Sequence, residues 1–265
     1  AVEALVRLAE KGKAMVVAAV RACLNHAQWR VRRAALKSLA EVAEKGSENA
    51  IGAISECVDD KSSEVRKVAA EALAKVADRG DGYAISTLTA CTKDEDVDVR
   101  GAALAALAQV AEPGDGDAIA TAGEHLEDAR WCIRNAAVKV LGQVAEKGDV
   151  RAIAAALARL KHEAWDVRRD ALEALGAVSA RGDERAVGAA SARLEDADWR
   201  VRKAAVDALV LIAGKDDAFA IAKVRERLGH ANWDVRRKAA EASAQMREEM
   251  RPHRHAGAGR SQRRR

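Results

Sequence analysis

Aromatic residues are nearly missing from this chain: its 265 residues include one Phe (Phe219), one Tyr (Tyr83) and five Trp. A globular core of this size recruits many rings to fill irregular volume, whereas thin helices stacked through Ala, Val and Leu need few. Large enclosed pockets are therefore not expected. Proline occurs only at Pro113 and Pro252, and the apolar content is mostly Ala, Val and Leu, a helix-former's alphabet. No run of eighteen apolar residues exists, and the opening AVEALVRLAEKG carries Glu3, Arg7 and Glu10, so neither a membrane span nor a secretory leader is expected. The four cysteines, at 23, 57, 91 and 132, form no C-x-x-C pair, which fits neither a zinc site nor a disulfide framework and suits a reducing, intracellular compartment. No G-x-x-x-x-G-K-S/T, G-x-G-x-x-G or H-E-x-x-H string occurs, so cofactor chemistry has no visible home.

What the chain does have is a period of 34. An aliphatic-Arg pair recurs at Val31-Arg32, Val65-Arg66, Val99-Arg100, Ile133-Arg134, Val167-Arg168, Val201-Arg202 and Val235-Arg236, without insertion or deletion. From each anchor apolar residues follow at offsets of four, eight and eleven, as in Val31, Ala35, Leu39 and Val42, which is one face of a helix, helix A of the unit. Glycines at 12, 46, 80, 114, 148 and 182 are read as the left-handed residue ending that helix. Ser47, Asp81, Asp115, Asp149, Asp183 and Asp217 are read as caps for a second helix, B. Its buried stripe runs through Val17, Ile51, Ile85, Ile119, Ile153, Val187 and Ile221, with Leu24, Val58, Leu126, Leu160, Leu194 and Leu228 two turns on. Each hairpin exposes an apolar face that only its neighbours can cover, so stacking is compulsory.

The tetratricopeptide repeat shares this period but needs recurring Tyr, Phe, Gly and Pro positions that are absent here. Copies such as WDVRRDALEALGAVSARGDERAVGAASARLEDADW resemble the short HEAT-like repeats typified by the phycobilin-lyase family, and the resemblance spans roughly residues 1–246. It implies an all-α fold, a right-handed αα-superhelix of 34-residue hairpins. It also implies roles from adaptor scaffold to bilin lyase. Units begin near residues 29, 63, 97, 131, 165, 199 and 233, the last incomplete, preceded by a partial unit in 1–28 and followed by a basic tail, 247–265.

Four features invite a functional reading. The Arg column (Arg32, Arg66, Arg100, Arg134, Arg168, Arg202, Arg236) is either a row of cations for an acidic partner or, preferred, a ladder holding carboxylates of adjacent units, such as Asp94, Asp128 and Asp196. The tryptophans at 29, 131, 165, 199 and 233 all sit two residues before an anchor; a binding ridge is conceivable, but a ring that seals the groove between turns is preferred. Cys23, Cys57 and Cys91 share a register that continues as His125, Arg159, Arg193 and Arg227, and a step of about 10 Å between stacked copies defeats a disulfide or shared metal. Finally, residues 1–130 carry 17 basic and 22 acidic side chains and residues 131–265 carry 28 and 19, so the C-terminal half attracts acidic surfaces. If helix B lines the concave side, Arg151, Arg159, Arg185, Arg193, Lys223 and Arg227 form a basic inner patch, joined by Arg251, Arg254, Arg263, Arg264 and Arg265 of the tail.

No nucleophile, base and orienting group converge, so the chain reads as a cofactor-free, non-catalytic scaffold for a protein partner with an acidic surface, within a larger assembly. Nucleic-acid contact through the tail, as in a ribonucleoprotein, and a pigment-lyase role are the alternatives.

Overall fold

The computed structural model describes residues 14–214 and 217–249, and side chains within 18–214 and 217–247. Gly12 and the tail therefore lie outside the described residues. Among the described residues there are fourteen helices and no strand. The A helices are α2 (Trp29–Val42), α4 (Ser63–Val76), α6 (Val97–Val110), α8 (Trp131–Val144), α10 (Trp165–Val178), α12 (Trp199–Ile212) and α14 (Trp233–Glu249). The B helices are α1 (Ala14–Ala22), α3 (Glu48–Ser55), α5 (Gly82–Cys91), α7 (Gly116–Glu124), α9 (Val150–Arg159), α11 (Glu184–Ala192) and α13 (Ala218–Leu228). Strict alternation of the two makes the chain an all-α solenoid of helical hairpins.

One continuous core runs through the stack, because each A helix turns Leu, Val and Ala at the repeat offsets against its own B helix and both neighbours. Leu36, Leu39, Leu73, Leu104, Leu107, Leu141, Leu172 and Leu175 are fully buried. Successive A helices pack along much of their length while successive B helices touch sparingly. A stack whose two layers are unequally spaced bends toward the tighter one, so the A helices form the inner side. This corrects the expectation that helix B lines the concave face. The A helices are close enough that a Cβ placed on Gly176 would come within 3.0 Å of Leu211 Cδ1.

The loop glycines also differ from the expected arrangement. Helix α2 ends at Ala43 in an extended conformation, with φ −66° and ψ 142°, and the left-handed residue is Gly46, three further on, at φ 77°. Its amide donates to Val76 O of the next A helix at 2.7 Å, and Gly80, Gly114, Gly148 and Gly182 donate in the same way to Val110, Val144, Val178 and Ile212. These glycines thus join neighbouring units instead of terminating their own helix. Asp81, Asp115, Asp149, Asp183 and Asp217 accept from backbone amides of the first turn of helix B. Ser47 makes no such bond, an exception to the expected caps.

Candidate functional site

Seven arginines stand one per unit in the first turn of the A helices, and each aims Nη1 back at the turn before it. Arg32 Nη1 donates to His26 O at 2.8 Å, Arg66 to Asp60 O at 3.0 Å, and Arg168 to His162 O at 2.8 Å. That anchor leaves the Nε–Nη2 edge facing the following unit. There Arg32 holds both oxygens of Asp60 at 2.6 and 2.7 Å, Arg66 holds Asp94 at 2.7 and 2.8 Å, and Arg168 holds Asp196 at 2.8 and 2.7 Å. Arg100 lies 3.4 Å from Asp128. The fork of a guanidinium matches a carboxylate bidentately, which fixes spacing and angle together.

Where the turn residue is His the rung is rebuilt. His162 and His230 stand where other units have Asp, and Arg134 instead meets Asp166 at 2.6 Å and Asp170 at 2.7 Å, while Arg202 takes Asp234. The imidazoles keep only the other duty of the turn acid: Nδ1 of His162 accepts from Ala164 N at 3.1 Å, as Asp94 Oδ1 accepts from Asp96 N at 2.8 Å. The electrostatics follow. The hydrogen bond from Arg32 holds the Asp60 carboxyl below the usual range. For Asp196, burial pulls upward, but Arg168 and the Asp198 amide outweigh it and the net shift is down.

The B-helix bases are tied up as well. Arg159 reaches Glu127 at 3.3 Å, Arg227 reaches Glu195 at 3.0 Å, and Arg193 donates to Leu160 O at 3.1 Å, each spanning one unit back. Arg151 pairs with Asp149 at 2.8 Å and Lys223 with Glu226 at 3.0 Å. Arg185 is exposed and meets no carboxylate among the described residues. The six therefore form no open basic patch: five are compensated, and four of these, Arg151 through Gly114 O at 3.0 Å included, bind neighbouring units together. Arg251, Arg254, Arg263, Arg264 and Arg265 lie outside the described residues. In the same register Cys57 and Cys91 are buried, and burial pushes both thiols up to about 11. All four cysteines are free.

The open surface is on the A side. Trp131, Trp199, Trp233 and Leu211 are each more than half exposed there, which corrects the expectation that the rings seal the stack; Trp29 and Trp165 are only partly buried. Between α10 and α12 a groove of about 520 Å³ is lined by Arg169, Leu172 and Glu173 of α10 and by Trp199, Arg200, Lys203, Ala204, Asp207, Ala208 and Leu211 of α12. Arg200 lies between two rings, 4.4 Å from the Trp165 centroid and 5.2 Å from that of Trp199. A second groove of about 340 Å³ between α6 and α8 is lined by Ala105, Ala108, exposed Cys132 and other small or neutral residues, with Lys139 the one charged side chain. Periodicity singles out the Trp column that supplies Trp199 but directs attention to buried columns elsewhere, and so missed Arg169, Glu173, Lys203 and Asp207. Their signal was the solvent columns two and six residues after each anchor, which vary from copy to copy.

Among the described residues no helix is long and apolar enough to cross a membrane, and no cluster of His, Cys, Asp or Glu has metal-ligating geometry. Of known structures, importin beta matches 88% of this chain over 35% of its own length at 17% identity, with a TM-score of 0.63. Kap95p, from a structure with RanGDP, matches 88% over 34% at 15% identity and 0.58. Human deoxyhypusine hydroxylase matches 93% over 88% at 19% identity with a TM-score of only 0.40. At these identities the first two likenesses establish the solenoid fold and nothing more. This chain spans about a third of either one. No curated protein matches the sequence. The profile of the HEAT repeats matches residues 1–74, 17–108, 52–142, 85–176 and 153–245 in overlapping copies, and with that coverage the chain belongs to the HEAT-repeat family.

Proposed function

We propose that this chain is a non-catalytic scaffold that grips a protein partner along the A-helix side, centred on the groove between α10 and α12. The observation that carries this is that Trp131, Trp199, Leu211 and Trp233, all largely exposed, stand on the A helices, with Trp199 and Leu211 lining the groove, whereas exposed Tyr83, Val150 and Leu228 of the B helices stand singly on α5, α9 and α13. Exposed rings of this kind mark contact surfaces, and Trp and Arg together supply most of the anchoring energy in protein interfaces. Repeat solenoids present extended surfaces of this form. The compensated B-helix bases weigh against that side as the seat of an acidic partner, and the buried thiols of Cys57 and Cys91 weigh against covalent pigment attachment there.

A photo-crosslinking residue placed at Lys203, compared with one at exposed Arg225 on α13, tests the reading in native extract. Adducts should form at 203, and the double substitution Trp199→Ala with Leu211→Ala should abolish them while the fold persists. Adducts at 225 alone would move the binding surface to the other layer.

A further inference from the structure

The last rung of the arginine ladder is half built. Arg236 is oriented as its six counterparts are, with Nη1 donating to His230 O at 2.6 Å and Ala231 O at 2.8 Å. Its outward Nε–Nη2 edge, which in the six earlier units meets an Asp in the turn before the next A helix or in that helix, has no carboxylate among the described residues. Arg236 is accordingly exposed, where Arg202 and Arg168 are nearly covered. Leu228, at the end of α13 just before the same turn, is 40% exposed, whereas Leu160 and Leu194 in its register are 4% and 0%. Two independent features, one polar and one apolar, thus show the same missing cover.

Charge narrows what the cover is. Among the described side chains the acids at this end are committed: Asp234 to Arg202 and Arg237, Glu226 to Lys223, and Glu241 to Lys238 at 2.7 Å. Residues 250–265 contain no Asp or Glu, so that stretch has no side-chain acid to offer. A second copy stacked in register would present His26 and Arg30 at the positions that supply the acid in the other rungs, and neither is a carboxylate. The earlier rungs show what fits: a carboxylate on a turn between two helices, brought bidentately onto the guanidinium at 2.6 to 2.8 Å.

We propose that Arg236 and Leu228 form a docking site for a different helical protein, which lays an acidic interhelix turn on the Arg236 guanidinium and covers Leu228. This end face is separate from the A-side groove, and the two stand or fall independently.

The test is a selection against the full chain from a phage-displayed library of helical hairpins randomised in the turn. Selected hairpins should carry Asp or Glu in the turn and lose at least tenfold in affinity for Arg236→Gln. Replacing that acid by Asn should cost the same, with no further loss when both changes are combined. Arg236→Gln should stay folded and melt within a few degrees of the parent, losing only the exposed bonds to His230 O and Ala231 O, and Trp199→Ala should leave hairpin binding unchanged. Binders indifferent to Arg236→Gln, binders without an acid, or no binders at all would overturn the proposal.

Discussion

Arg134 shows how much depends on single side chains. It is 2% exposed and shares Asp170, itself 3% exposed, with Arg169, while its second nitrogen reaches Asp166. Removing Arg134 leaves buried Asp170 with Arg169 alone and takes a donor from Asp128 O, so Arg134→Gln should cost on the order of 2 kcal/mol in denaturant-induced unfolding, more than the surface change Lys203→Gln. The turn acids respond to pH. Asp60, Asp94, Asp196 and Asp234 are all held below the ordinary carboxylate value, Asp60 chiefly by the hydrogen bond from Arg32. Because the folded chain keeps them ionised where the unfolded chain would already be protonated, their contribution is complete above about pH 5 and fades as pH falls through about 4. The melting temperature should be flat from pH 8 to 6 and drop below pH 4; a flat profile down to pH 3 would remove the ladder from the stability of the chain. Thiol chemistry separates by burial: a maleimide at pH 7 should label exposed Cys132 in the folded protein and reach Cys57 and Cys91 only after unfolding.

At the scale of the hairpin, two classes of glycine should behave oppositely. Gly46 sits at φ 77°, and an added Cβ would lie 2.2 Å from Asp78 Oδ2 of the next unit, so Gly46→Ala should destabilise by about 1 to 2 kcal/mol. Gly52 is inside helix α3 with nothing within 4 Å of the new atom, so Gly52→Ala should stabilise by up to about 1 kcal/mol. Equal effects, measured as shifts in the denaturation midpoint, would contradict this division. The hairpins themselves were legible because offsets of four, eight and eleven from Val31 or Val167 admit only a helix, and the cap position is Asp in five of six copies. The role of the loop glycines was not. A glycine after a helical run suggests a left-handed terminus, but its amide bonds to a carbonyl 30 residues on, at Val76 for Gly46, and local pattern contains no trace of such a partner.

Across the whole molecule, the stack was readable from period alone, whereas its inner side was not. Curvature depends on which layer packs closer, and the apolar stripes that reveal the helices run through both layers alike. Placing helix B inside led to the choice of Arg159, Arg193 and Arg227 as partner contacts, when they reach Glu127, Leu160 O and Glu195 of the preceding unit. The groove beside Trp199 could be seen only once the layers were placed. The account as a whole requires each unit to be bonded to the next, and five turn amides report on this directly. Native-state hydrogen exchange at Gly46, Gly80, Gly114, Gly148 and Gly182 should show these loop amides slowed by about a thousandfold or more, like helix interiors, because each donates to the following A helix. Exchange at the rate of free surface turns, with protection under about tenfold, would mean the hairpins are not joined in one stack.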